Sequence, residues 1–114
     1  MEDCIFCKII KGEIPSKKLY EDENVLAFYD INPETPIHFL VIPKKHIENV
    51  NEITEGNSDV IGKIFVVINK LTKELGIDQT GFRVISNTGE DAGQTVKHLH
   101  FHVLGKKKLG VKLT

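Results

Sequence analysis

Three histidines spaced one residue apart, His98, His100 and His102, are the most chemically loaded feature of this sequence. They alternate with Leu99, Phe101 and Val103, the period of an extended strand, so the imidazoles share one face and the apolar side chains the other. Same-face neighbours then stand roughly 7 Å apart, from two rises of about 3.3 Å. A solvated strand face would carry Lys, Glu or Thr instead. Two chemistries fit. One is a metal site, in which His-x-His offers two neutral nitrogens to zinc or iron. The other is nucleophilic and acid–base work on an anion, because imidazole is itself a nucleophile with an unperturbed pKa of about 6.5. Gly93-Gln94-Thr95, just before the triad, offers backbone N–H groups and a hydroxyl suited to phosphate oxygens. No carboxylate lies on the strand, which also favours phosphoryl chemistry over a metal centre; a structural role is the third reading.

Other candidates carry a plain structural reading beside the functional one. Asp30 precedes Asn32-Pro33, where aspartates commonly bond the local backbone. Asn87 after a strand reads first as a turn residue, and His38 at the start of an apolar strand as a half-buried histidine. Phe6 and Phe28 are core by default. Gly89 and Gly93 suit positive φ angles in a tight loop. Cys4-x-x-Cys7 is open to redox, metal-binding or plain thiol readings. The redox one wants a thioredoxin-like parallel unit that the sequence does not show. Structural zinc wants two further ligands from elsewhere in the chain.

The elements that must position these residues follow from periodicity. Cys4–Ile10 reads as a short helix stopped by Gly12 and Pro15. Lys18–Glu21 and Val25–Ile31 are strands joined by a turn at Asp22-Glu23-Asn24. Two X-Pro pairs, Asn32-Pro33 and Thr35-Pro36, punctuate a loop, and His38–Ile42 follows as a strand ended by Pro43. Val60, Ile61, Ile64, Phe65, Ile68, Leu71 and Leu75 recur at helical spacing, behind Asn57-Ser58-Asp59 as the start and before Gly76 as the stop. Gly62 costs this helix roughly 1 kcal/mol against alanine. Phe82–Asn87 and Val96–Leu104 complete the strands. The class is α+β, an antiparallel sheet with one long helix across it. Its other face is exposed or used for self-association.

The 114 residues suffice for one domain, residues 1–114, with a cysteine-bearing segment at 1–15 and a basic tail at 106–114. A net charge of −1 gives no electrostatic case for a nucleic-acid or membrane partner. No apolar run is long enough for a signal peptide or a bilayer span, so a cytoplasmic protein is expected.

The chain resembles the histidine triad superfamily. His98-Leu99-His100-Phe101-His102-Val103-Leu104 is similar to that family's His-φ-His-φ-His-φ-φ signature, φ being apolar. Cys4-Ile5-Phe6-Cys7-Lys8-Ile9, Asp30-Ile31-Asn32-Pro33, His38–His46 and Ala92-Gly93-Gln94-Thr95-Val96 match in the same order, from Cys4 to about Lys106. The N-terminal half resembles the Hint-like branch of nucleoside phosphoramidate hydrolases, in its bacterial zinc-binding variety. Gly93–His98 also resembles the branch that cleaves dinucleoside polyphosphates.

The resemblance implies a five-stranded antiparallel sheet with one long helix and a short N-terminal helix. It implies that His100 attacks the α-phosphorus of a nucleoside 5′-phosphoramidate, forming a nucleotidyl-histidine that water releases. His98 would orient His100 through its carbonyl, His102 would contact the phosphate and help move a proton, and His38 would sit alongside. Asn87, Gly93, Gln94 and Thr95 would hold phosphate oxygens or the leaving atom. Asp30 would accept ribose hydroxyls, with Ile5, Phe6, Ile9, Phe28, Ile31 and Leu40 lining a pocket for a purine nucleotide. Cys4, Cys7, His46 and His98 would hold a structural zinc, and no catalytic cofactor is implied. Relatives are homodimers, and the apolar face of the Val60–Leu75 helix accords with that. The tail lacks the aromatic and proline residues of animal relatives, which bears on leaving-group preference. A dinucleoside polyphosphate hydrolase, a nucleotide-binding regulatory protein with little turnover and a catalytic metal centre stand as alternatives.

Overall fold

A computed structural model describes residues 3–113; Met1, Glu2 and Thr114, at the ends of the expected N-terminal segment and C-terminal tail, lie outside it. The described elements are α1 (Ile5–Ile10), β1 (Lys18–Glu21), β2 (Val25–Tyr29), β3 (Ile37–Pro43), a 3-10 turn (Val50–Glu52), α2 (Asp59–Glu74), β4 (Phe82–Ile85) and β5 (Phe101–Gly105). The five strands form one antiparallel sheet in the order β1-β2-β3-β5-β4. The α+β class and the five strands with one long and one short helix are as expected.

Strand alternation sorts the side chains onto two faces. Val25 and Ala27 of β2, Phe39 and Val41 of β3, and Phe101 and Val103 of β5 pack with Leu99 against Ile64, Val67, Ile68 and Leu71 of α2. Leu26, Phe28, Leu40 and Ile42 point the other way and meet Phe6 and Ile9 of α1. The short helix therefore covers part of the second face, and the histidines share it.

Helix α2 ends in a Schellman motif. The Ile77 N–H bonds to Thr72 O at 2.9 Å and the Gly76 N–H to Lys73 O at 3.1 Å, with Gly76 at φ +74°. Buried Ile77 then lies against Gly105, where an added Cβ would stand 2.7 Å from the Ile77 Cδ1. The predicted cap at the other end is weaker than expected, for Ser58 makes no side-chain capping bond. Of the helix's periodic stripe, Ile64, Ile68 and Leu71 are buried and Val60, Ile61 and Leu75 partly so, while Phe65 (45% exposed) and the neighbouring Val66 (69%) reach the surface.

Three expected strands are shorter than the sequence pattern. Val96–Leu104 becomes Phe101–Gly105, because β3 pairs with β5 only from Ile37↔Gly105 to Val41↔Phe101. Beyond that, Pro43 has no N–H to offer, its carbonyl accepts from the His98 ring, and the Leu99 N–H turns to Ile47 O. Phe82–Asn87 becomes Phe82–Ile85, since the Ser86 hydroxyl, not a backbone amide, donates to His100 O at 2.8 Å. Val25–Ile31 likewise stops at Tyr29. Among the described residues, no helix is long and apolar enough to cross a membrane.

Candidate active site and metal centre

His98 and His100 lie outside the sheet and make their own bonds, while His102 stays within β5. The His100 Nδ1–H donates to His98 O at 2.7 Å, which leaves Nε2 as the ring nitrogen with a free lone pair. The ring is buried and edge-on to Phe6, with centroids 5.1 Å apart; Phe6 in turn meets Phe28 at 5.5 Å. Desolvation lowers the His100 pKa, opposed by the bond to His98 O and by the charge of Asp30. Burial, then the neighbouring His100 and His38, pulls His102 down to about 4. Both rings are thus neutral at pH 7, and a neutral imidazole is the nucleophilic form.

Beside them, His38 Nε2 lies 2.9 Å from His102 Nδ1 and 3.4 Å from Asp30 Oδ2, while the Glu34 N–H donates to His38 Nδ1 at 3.0 Å. Asp30 fulfils its plain turn role with one oxygen, since Oδ1 accepts from the Asn32 N–H at 2.8 Å, and turns the other toward the histidines.

The side chain of His98 belongs to a different site. Its Nε2–H donates to Pro43 O at 2.8 Å, so the bare Nδ1 faces Cys4 Sγ at 3.3 Å and Cys7 Sγ at 3.6 Å. His46 Nδ1 lies 3.3 Å from Cys7 Sγ. All four ligand atoms fall within 4.8 Å of one another, and the cluster is one that could hold a metal ion. A tetrahedral zinc with bonds of about 2.3 Å to sulfur and about 2.0 Å to nitrogen has N–S edges of about 3.5 Å, close to those seen. The His98 tautomer fits as well, with its second N–H tied to a carbonyl as ligating histidines usually are. Cys4 caps α1, its Sγ accepting from the Cys7 N–H at 3.2 Å. Burial, then the hydrogen bond to Cys4, pushes the Cys7 thiol up to about 11, and a bound cation would supply the charge that favours thiolate.

Of the expected pocket residues, the structure gathers Phe6, Ile9, Phe28 and Leu40 into one apolar cluster under the triad. It does not bring in Ile31, which is 91% exposed, and Ile5 is 45% exposed at the rim of α1. Gln94 takes a different task from the expected phosphate contact. Its Oε1 accepts from Asn49 Nδ2 and the Gly89 N–H, and its Nε2 donates to Glu48 O and Val96 O. Its own N–H and that of Gly93 are spent on Gly89 O and Glu90 O. Gln94 is therefore the clamp of the loop, and the free donors there belong to exposed Thr95. Thr95 lines a cleft of about 350 Å³ with Cys4, Ile5 and His46. Asn87 is half-buried on the loop after β4. Sequence reasoning missed Ser86, the Glu34 amide and the Pro43 carbonyl; two of these are backbone groups, which residue type does not reveal.

Comparison with known proteins shows the family. The HIT domain profile matches residues 11–109. The chain belongs to the HIT domain family. It falls in the Hint-like branch of that family. It is 42% identical over 112 residues to the purine nucleoside phosphoramidase of Escherichia coli K12, covering 98% of this chain and 94% of that one. A histidine triad protein of Clostridium difficile superposes with a TM-score of 0.95 at 57% identity, covering 99% and 98% of the two chains. A HIT family hydrolase of Clostridium thermocellum gives 0.98 at 52% identity, over 100% and 99%. HIT membership accounts for the order of the motifs and for the sheet and helix that carry them.

Proposed function

We propose that this HIT protein hydrolyses nucleoside 5′-phosphoramidates, purine nucleotides among them, through a covalent nucleotidyl-histidine. The observation that carries the reading is the His100 ring, held by its Nδ1–H on His98 O with Nε2 bare and desolvated against Phe6. The name and 42% identity of the E. coli phosphoramidase support the substrate class. In the first step His100 Nε2 bonds to the α-phosphorus and the phosphorus–nitrogen bond breaks. Its electron pair leaves on the amine, which takes up a proton from solvent, with His102 placed to donate a hydrogen bond. In the second step water adds to phosphorus, releases the nucleoside monophosphate, and returns His100 and a proton. Splitting one displacement into two in this way is covalent catalysis. Asp30 Oδ2 would accept from the ribose, Phe6, Ile9, Phe28 and Leu40 would hold the base and sugar, and Thr95 and Asn87 would contact the phosphate.

Cys4, Cys7, His46 and His98 would hold zinc, which when bound supplies a structural clip between α1 and the triad segment. A homodimer is proposed on the exposed Phe65, Val66 and Phe82 of α2 and edge strand β4; sedimentation as a monomer at micromolar concentration would remove it.

The test is AMP release from adenosine 5′-phosphoramidate by wild type and His100→Ala, each with and without EDTA. Release by wild type that survives EDTA and disappears in the variant is expected. Release by both proteins would show that His100 is not the nucleophile, and none by wild type would exclude this substrate.

A further inference from the structure

We propose that His38 is a positioning residue that fixes which nitrogen of His102 carries the proton, and that the Glu34 backbone amide fixes His38 in turn. The catalytic meaning of this inference rests on the hydrolase reading above; the proton pattern rests on geometry alone. An amide N–H can only donate, so the His38 Nδ1 lying 3.0 Å from Glu34 N must accept. A histidine whose Nδ1 accepts holds its proton on Nε2. That Nε2 is 2.9 Å from His102 Nδ1. Two bare nitrogens at this separation would repel and two N–H groups would clash, so one proton fills the gap, and it is the one on His38. The His102 Nδ1 is therefore an acceptor. Its alternative partner as a donor, Asp30 Oδ2, stands 4.0 Å away, beyond hydrogen-bond reach. Burial keeps the His102 ring neutral at pH 7, so its single proton sits on Nε2, which no described residue accepts.

Hydrogen bonds within the loop between β2 and β3 brace this arrangement. The Asn32 N–H bonds to Asp30 Oδ1 at 2.8 Å, the Thr35 hydroxyl donates to Ile37 O at 2.6 Å, and the Asp30 N–H bonds to His38 O at 3.0 Å. His38 itself is 3% exposed, so solvent does not compete for its nitrogens. Two consequences follow. His102 meets a substrate as a hydrogen-bond donor from Nε2 and not as a base. The trio of Asp30, His38 and His102, although its ligand atoms lie within 4.8 Å, is not a resident metal site. A cation there would need His38 Nε2 bare and its proton on Nδ1, pointing at the Glu34 N–H.

The experiment uses protein with ¹⁵N-labelled histidine rings and two-bond proton–nitrogen spectra at neutral pH. Wild type is expected to show pyridine-type Nδ1 and pyrrole-type Nε2 at both His38 and His102. In His38→Gln a side-chain amide N–H replaces the donor, and the His102 pattern persists. In His38→Glu an acceptor replaces it, and the His102 proton moves to Nδ1. Turnover of adenosine 5′-phosphoramidate is expected to fall about tenfold further in the Glu variant than in the Gln variant, at the low end of what a positioned proton donor contributes. A pyrrole-type Nδ1 on wild-type His102, or the same His102 pattern in both variants, overturns the proposal. If the variants do not fold, the wild-type spectrum decides alone. The expected spectrum in a protein without phosphoramidase activity would remove the hydrolase reading and leave the proton assignment standing.

Discussion

At the scale of single residues, the site is built from groups whose bonding is nearly complete, and the few unspent atoms mark where chemistry is available. His100 keeps a bare Nε2, His102 an unclaimed Nε2–H and Thr95 its hydroxyl, whereas Gln94 has nothing left to give. Gln94→Leu should therefore lower stability by about 2 kcal/mol through stranded Gly89 and Asn49 partners. Its effect on unfolding in urea should exceed that of Thr95→Val, which should reduce turnover with an unchanged denaturation midpoint. Equal destabilisation by the two would contradict this division. The lowered pKa of His102 also makes a pH prediction. Between the unfolded value of 6.5 and about 4, the unfolded chain binds a proton that the folded chain refuses. The stability from keeping His102 neutral is thus full above pH 6.5 and is lost as pH falls toward 4. Melts between pH 4 and 8 should show that decline, and His102→Gln should flatten it.

At the scale of elements, two glycines of opposite consequence test the packing. Gly62 sits on the exposed side of α2 with no heavy atom within 4 Å of a built Cβ. Gly62→Ala should stabilise the protein by about 1 kcal/mol, the difference in helix propensity, as read from the midpoint of urea unfolding. Gly105→Ala should destabilise it, because the new methyl would meet Ile77 at the buried end of α2. A neutral result for Gly105→Ala would mean that this end is looser than the contact between Ile77 and Gly105 implies. Within α2, Ile64, Val67, Ile68 and Leu71 are spent on the sheet, and exposed Phe65 and Val66, with Phe82 of β4, carry the homodimer proposal.

At the scale of the whole molecule, His98 joins the two sites. Its Nδ1 faces the cysteines, its Nε2–H holds β3 at Pro43, and its carbonyl orients His100. Removing any metal held by Cys4, Cys7, His46 and His98 should therefore lower stability without abolishing turnover, since the proposed nucleophile His100 is not among those four residues. Cys7→Ser, or a strong chelator, is expected to lower the Tm by about 5 °C or more and to loosen α1 against the triad segment. Differential scanning fluorimetry with and without added zinc checks it; a Tm indifferent to both would show that the cluster stands without an ion. Because Cys7 is buried with its thiol raised to about 11, metal uptake should also release protons into a weakly buffered solution.

Much of this was legible along the chain. The period-two run of the triad told which side chains share a face, because strand geometry leaves no other choice. The three- and four-residue spacing told where α2 runs, and Gly76 told where it stops, because only a residue free to take positive φ completes that cap readily. Motif order gave the family. What the sequence could not carry was the assignment of nitrogens, since imidazole has two and its residue code names neither. Which one is free depends on His98 O, Pro43 O and the Glu34 N–H, backbone groups brought from 2 to 55 residues away. The separation of His98 from His100 and His102 was equally hidden. Alternation puts all three on one face, and only the tertiary structure shows His98 bonded to Pro43 O with its Nδ1 toward the cysteines, while His100 stands against Phe6 and His102 against His38.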